Sequence, residues 1–137
     1  MMPMTLNNVF IDSNIILYLF DINETKRTIA QKLIAAKPSL NAQVLVEVGN
    51  VCKRKFSFSK TQVTLLWQDL LNDCSCSEIN EYIIKDAIRL ISKYDFQLFD
   101  AIIVAGALNA NCSILYSEDM QHQTVVDNTL TIINPFK

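Results

Sequence analysis

Glycine and proline are scarce in this chain of 137 residues, with 2 and 3 copies respectively. That scarcity excludes a disordered or low-complexity polypeptide, in which Pro, Gly and polar residues dominate. Long apolar runs are missing too: none reaches the roughly 18 residues that a membrane-spanning helix needs. The opening MMPMTLNN lacks the basic flank and cleavage pattern of a secretory leader, so a cytoplasmic protein without membrane contact is expected. No C-x-x-C pair occurs among Cys52, Cys74, Cys76 and Cys112, and the single histidine, His122, stands at no zinc spacing from them. The thiols are expected to be reduced and buried, with Cys74 and Cys76 on one face of a short strand. A net charge of −2 gives no basic signature for a nucleic-acid partner, although acids clustered on a metal would be neutralised locally.

Half of the residues are apolar, and the length suits one domain with one hydrophobic core. Asn8 to Asp12 (NVFID) reads as a strand whose Asp-Ser-Asn end caps a helix over IILYLF. Glu24 to Lys37 reads as a helix, with Ile29, Leu33 and Ile34 at helical spacing and Pro38 as its stop. Ala42 to Phe56 carries the apolar stripe Val44, Leu45, Val48 and Val51, which places Glu47 beside a buried face. Ser59 caps a helix to Asn72, with Val63, Leu66, Trp67 and Leu70 inward.

Cys74 to Ile79 reads as a strand. Asn80 then caps a helix to Tyr94, carried by Ile83, Ile84, Ala87, Leu90 and Ile91. Phe99 to Ala110 is apolar almost all round, a helix packed on several sides, with Asp100 in its first turn and Gly106 allowing close approach. Strands follow at 113–117 and 130–133. Strands alternating with helices predict an α/β domain with a mainly parallel sheet flanked by helices, and ligands beyond the carboxyl ends of its strands.

Four carboxylates, Asp12, Glu47, Asp100 and Asp119, fall where apolar stretches end or turn. Like charges brought together repel and resist leaving water, so a gathered set implies a cation or raised pKa values. Hard oxygen donors suit Mg²⁺ or Mn²⁺, and such an ion can activate water and stabilise charge on a phosphodiester. Each acid also has a plain structural reading: Asp12 as an N-cap, Asp100 as a partner of a helix dipole, Asp119 as a turn residue, Glu47 as a flank residue. It is the four together that favour a site. Lys53, Arg54 and Lys55, followed by Phe56, Phe58 and Lys60, could contact RNA phosphates and bases, or simply form a solvated helix end. Lys26 and Arg27 are weaker candidates of the same kind.

FIDSN at 10–14, VLVEVGNV at 44–51, LFDAIIVAGAL at 98–108, ILYSEDMQ at 114–121 and INPF at 133–136 together resemble the PIN-domain ribonucleases, closest to the VapC group of bacterial toxins. The likeness runs over essentially the whole chain and implies a three-layer PIN-like domain. It further implies Asp12, Asp100 and Asp119 as metal ligands and Glu47 as an acid holding metal or water. Asn14 and Ser117 would then orient the acids. By the same resemblance the partners are an RNA substrate, a cognate antitoxin and a second copy of the chain. The antitoxin would lie in a groove made by helices 24–37 and 42–56 and aim a cation at the acids. Gln123 stands where many relatives carry Gly. His122 could serve as a general base by its near-neutral pKa, but the resemblance implies metal-activated water, leaving His122 a loop residue or an RNA contact.

Two other classes remain open. Phosphoryl transfer through an aspartyl phosphate also uses acids at strand ends, but needs D-x-D or adjacent acids at the first strand, where this chain reads Asp12-Ser13-Asn14. A non-enzymatic interaction module, its acids structural or its PIN-like site decayed, is the other, and within the resemblance an RNA-processing PIN nuclease outside a toxin–antitoxin pair is a further alternative.

Overall fold

The computed structural model describes residues 8–137; the reading of the first seven as no secretory leader lies outside that range. In chain order the elements are β1 (Val9–Ile11), α1 (Ser13–Leu17), a 3-10 turn (Tyr18–Phe20), α2 (Glu24–Ala35), β2 (Ser39–Asn41), α3 (Ala42–Phe56), α4 (Lys60–Asp73) and β3 (Ser75–Ser77). The second half adds α5 (Glu81–Tyr94), α6 (Leu98–Asn109), β4 (Ile114–Tyr116), β5 (Val125–Val126) and β6 (Leu130–Ile133). The sheet runs β3-β2-β1-β4-β6-β5 and is parallel throughout except for the β5–β6 hairpin.

The strand order fixes where a site can form. From β1 the chain moves outward through β2 to β3, then returns to the other side of β1 for β4 and β6. The order therefore reverses between β1 and β4, which opens a crevice beyond their carboxyl ends. Right-handed crossovers in opposite directions put helices on both faces of the sheet. In keeping with that, α1, α2, α3 and α4 pack among themselves and α5 pairs with α6.

Central strands of this kind are buried on both faces, so their apolar residues form the floor of the core. Phe10, Ile11, Leu40, Leu115 and Ile132 are all fully buried. Each such side chain contributes about 1.5–3 kcal/mol relative to exposure. Helix starts are set by side-chain caps: Asn23 accepts from Lys26 N at 3.0 Å, Asn41 from Val44 N at 3.2 Å and Asn80 from Ile83 N at 3.1 Å. Ser59 and Gln62 form a reciprocal capping box, 3.1 and 2.8 Å. Gly106 lets α6 approach the sheet, since a Cβ there would meet Asn41 Nδ2 at 2.9 Å and the Phe10 ring at 3.3 Å.

Several expectations are corrected. β2 and β5 were not expected from the sequence; they are strands through their pairing with β1, β3 and β6. α2 stops at Ala35, and Lys37 has φ 59°, so this lysine belongs to the turn after the helix. Cys74 is the C-cap of α4 and is buried, whereas Cys76 lies in edge strand β3 and is exposed; the two do not share a strand face. All four cysteines are free. Ile84, expected inward, is 41 % exposed on α5. Among the described residues, no helix is long and apolar enough to cross a membrane.

Candidate active site

Asp12 follows β1 directly and caps α1. Its Oδ1 accepts from Ser13 N at 2.7 Å, and its Oδ2 accepts from the Ser117 hydroxyl at 2.8 Å. Ser117 is fully buried just past the end of β4, with its N–H donating to Ile133 O at 3.0 Å. The first acid is thus fixed from both sides of the β1–β4 crevice. It is only 5 % exposed, and burial pushes its pKa up to about 6 against the pull of these hydrogen bonds; repulsion from Glu47 and Asp100 adds to the rise.

Asn14 joins the two ends of the chain. Its Nδ2 donates to Asp119 Oδ2 at 3.2 Å and lies 3.5 Å from Asp12 Oδ2, a long contact, while its Oδ1 accepts from Glu118 N at 3.1 Å. Asp119 itself is exposed and sits in the loop past β4, not at the strand terminus proper. Asp100 enters from the first turn of α6. Its pKa is raised, by burial first and then by Asp119 and Glu47.

Glu47 comes from the second turn of α3, half-buried beside the stripe of Val44, Leu45 and Val48. Its Oε1 accepts from Gln43 Nε2 at 3.0 Å, and the same amide reaches Phe99 O at 3.2 Å, tying α3 to the start of α6. Gln43 was not foreseen. Its signal was the i, i+4 spacing to Glu47, which places both on one helix face.

The structure therefore brings together the four acids from four different segments, with Asn14 and Ser117 among them. The arrangement is convergence and not a finished coordination sphere: among the described residues, no three His, Cys, Asp or Glu side chains are gathered closely enough to hold a metal ion as they stand. The donor set itself, carboxylate oxygens with no Lys or Arg bonded to them among the described residues, fits Mg²⁺ or Mn²⁺.

Other sequence candidates lie elsewhere. Lys53, Arg54 and Lys55 occupy the exposed last turn of α3 and join no ion pair among the described residues. Helical rise puts Arg54 about 10 Å along the axis from Glu47, two turns on and on the same face of α3. Phe56 and Phe58 do not stand out as stacking platforms: they pack with Phe20, at 6.0 and 5.2 Å between ring centroids. His122 is half-buried, and its Nδ1 accepts from Asn134 N at 2.9 Å, so that nitrogen holds the loop to the final INPF segment.

A fifth acid, unforeseen, lies next to the site. Glu118 turns away from the cleft to accept from Tyr18 OH at 2.6 Å and from Lys26 Nζ at 3.2 Å. Lys26 lies over the rings of Tyr18 and Phe136, 4.7 and 5.5 Å from their centroids. Lys26, a candidate RNA contact by sequence, is thereby engaged in holding the loop that bears Asp119.

The family model described as PIN domain matches residues 9–127. No curated protein matches by sequence. Among solved structures, the chain is similar to one in a toxin-antitoxin complex from Klebsiella pneumoniae: TM-score 0.70, 20% identity, covering 93% of this chain and 97% of that one. It is similar to VapC20 of Mycobacterium tuberculosis, described as a sarcin-ricin loop cleaving toxin: TM-score 0.66, 16% identity, 81% and 89% covered. A third is VapBC2 from Rickettsia felis bound to a DNA fragment from its promoter: TM-score 0.66, 14% identity, 90% and 96% covered. At these identities the likeness is one of fold.

Proposed function

The chain belongs to the PIN-domain family, and on that premise we propose that it is a metal-dependent endoribonuclease toxin of the VapC type. It would cut cellular RNA, transfer or ribosomal, and arrest translation until a cognate antitoxin covers it. The observation that supports this reading is the meeting of Asp12, Glu47, Asp100 and Asp119 at the point where the strand order reverses.

Asp12, Asp100 and Asp119 would hold Mg²⁺ or Mn²⁺, which when bound supplies a Lewis acid for the phosphodiester and lowers the pKa of water. The chain's own residues do the rest. Ser117 and Asn14 hold Asp12 and Asp119 in fixed rotamers, so orientation is settled before substrate arrives. Gln43 occupies Oε1 of Glu47 and leaves Oε2 without a protein donor among the described residues, free to orient water or accept its proton.

Partners follow from the same reading. Solved relatives described as toxin-antitoxin complexes support an antitoxin. A cavity of about 350 Å³ lies along α2, one side of the expected groove, lined by Leu19, Ile34 and Ala35 and also by the polar Gln31, Lys37 and Asp73; α3 does not line it. Exposed Tyr82, Ile88, Leu98 and Phe99 on α5 and α6 offer surface for a second copy.

The test is cleavage of transfer and ribosomal RNA with Mg²⁺ or Mn²⁺ by wild type and Asp12→Ala, with the cut ends sequenced. Discrete cuts by wild type, abolished in Asp12→Ala and by chelation, are expected. Equal activity in the two proteins would refute the assignment.

A further inference from the structure

Beside the acids, between the α5–α6 connection and the β4–β5 loop, lies a cavity of about 260 Å³. Asp100 and Asp119 line it together with Asp95, Phe96, Gln97 and Gln121, and Tyr94, Met120 and Thr124 complete the lining. We propose that this cavity is a base-recognition pocket, taking the nucleobase next to the scissile phosphate and preferring one that carries an exocyclic amine. The proposal rests on the nuclease reading above and names its specificity site.

Position carries the first step. Two of the four acids belong to both the cleft and the cavity, so a phosphate at the acids puts the adjoining base at the mouth of this pocket. Size carries the second. The volume is just below the roughly 300 Å³ at which sites for whole small molecules begin, which suits one planar ring system.

Phe96 supplies a fixed surface for stacking. Its half-buried ring packs against Tyr94, 5.7 Å between centroids, and Tyr94 OH is anchored to Asp127 Oδ1 at 3.1 Å. Base–aromatic stacking of this kind is tolerant of sequence and needs an immobile ring. Edge reading would come from the two amides. Gln97 stands at the N-cap of α6 yet makes no capping hydrogen bond, and neither its amide nor that of Gln121 has a side-chain partner among the described residues. The Gln121 backbone is nevertheless held, its carbonyl accepting from the Thr124 hydroxyl at 2.9 Å. An amide offers donor and acceptor together, the pattern that matches a base edge.

Charge selects among bases. No Lys or Arg lines the cavity, so it is not built for a phosphate. Asp95 is exposed and, ionised, only accepts hydrogen bonds. Adenine, guanine and cytosine present an amine to such a group; uracil does not.

The experiment measures kcat/KM on short single-stranded oligoribonucleotides with each base, and with an abasic residue, at the positions flanking the cut. Wild type is expected to disfavour uracil at one flank. Asp95→Asn, whose amide donates as well as accepts, is expected to weaken that preference on the order of tenfold, and Gln97→Ala and Gln121→Ala to lower kcat/KM on every intact base, while all three cleave the abasic substrate as wild type does. Losses equal on abasic and intact substrates, or an unchanged preference, would overturn the pocket.

Failure of the nuclease reading shows separately, as no cleavage of any substrate by wild type. In that event the pocket is judged by the side-chain amide NMR signals of Gln97 and Gln121 in Asp12→Asn, titrated with the same oligonucleotides. Shifts that need the intact base support it; no shifts, or the same shifts with the abasic strand, overturn it.

Discussion

Asn14 and Asp119 are 105 residues apart in the chain and 3.2 Å apart in the fold, Nδ2 to Oδ2. The amide does two things at once, since its Oδ1 also receives the backbone N–H of Glu118. Truncating it in Asn14→Ala frees the Asp119 carboxylate and leaves that N–H without its acceptor. Partners that orient metal-binding groups are worth about 10–100-fold in affinity or activity. Calorimetry with Mn²⁺ is expected to show an affinity loss of that size, with an unchanged circular dichroism spectrum. Undiminished Mn²⁺ affinity would show that Asn14 orients nothing.

Burial of Asp12 sets a pH dependence of unusual sign. Its carboxyl is raised from 3.8 to about 6 in the fold, so the folded state binds the proton more tightly than the unfolded chain. Between those values stability falls as pH rises, and above the upper one the full penalty is present, up to about 3 kcal/mol for a shift of that size. Asp12→Asn removes the charge, keeps Oδ1 as acceptor for Ser13 N and places Nδ2 against the Ser117 hydroxyl, which can rotate to accept from it. In metal-free buffer at pH 7.5 the variant is expected to melt above wild type, with the gap closing toward pH 4. A gap that is absent, or independent of pH, would contradict the burial argument.

Long helices were legible in the sequence because their apolar spacing and caps act locally: Asn80 and Ser59 announce α5 and α4 within four residues. β2 was not, because Ser39–Asn41 is a strand only through its pairing with β1 and β3. The same division holds at the site. Asp12 and Asp100 could be found from element ends, whereas Glu118 reads as one more acid until Tyr18 and Lys26 are seen closing on it from 100 and 92 residues away. Phe56 and Phe58 misled for a related reason, since the ring that turns them inward, Phe20, lies in a distant segment.

Away from the acids, Asp127 fastens the β5–β6 turn to α5. It accepts from Arg89 Nη2 at 2.7 Å, Lys93 Nζ at 3.2 Å and Tyr94 OH at 3.1 Å. The Arg89 guanidinium, foremost among these, holds its carboxyl down at about 2. A depressed carboxylate contributes stability above the unfolded pKa and loses it as pH falls through the folded one. Asp127→Asn preserves a residue that tolerates the local φ of 50° while removing the charge and replacing one acceptor oxygen with an amide donor. Partly exposed pairs are worth at most about 1 kcal/mol each, so a Tm lower by about 3–6 °C at pH 7 is expected. The difference shrinks in 1 M salt and vanishes near pH 2; a difference that survives both would mean packing, not charge, joins these elements.

Gln123 offers the converse case, a backbone position that lacks the residue its conformation favours. Its φ is 68°, in the left-handed region, while its N–H is committed to Ile132 O at 2.7 Å, so the loop cannot relax by rotating that peptide away. A side chain with Cβ pays about 1–2 kcal/mol for this conformation, and glycine gives back part of the gain through its larger unfolded-state entropy. Gln123→Gly is therefore expected to raise stability by about 0.5–1 kcal/mol, or Tm by about 2–4 °C. Gln123→Val, branched at Cβ, is expected to lower it. Denaturant titration of the three proteins decides the matter: if glycine brings no gain while valine costs nothing, the loop is not strained at this residue. A stabilised loop would also leave the Asn134–His122 hydrogen bond intact, so cleavage by Gln123→Gly should match wild type at 25 °C and persist to higher temperature.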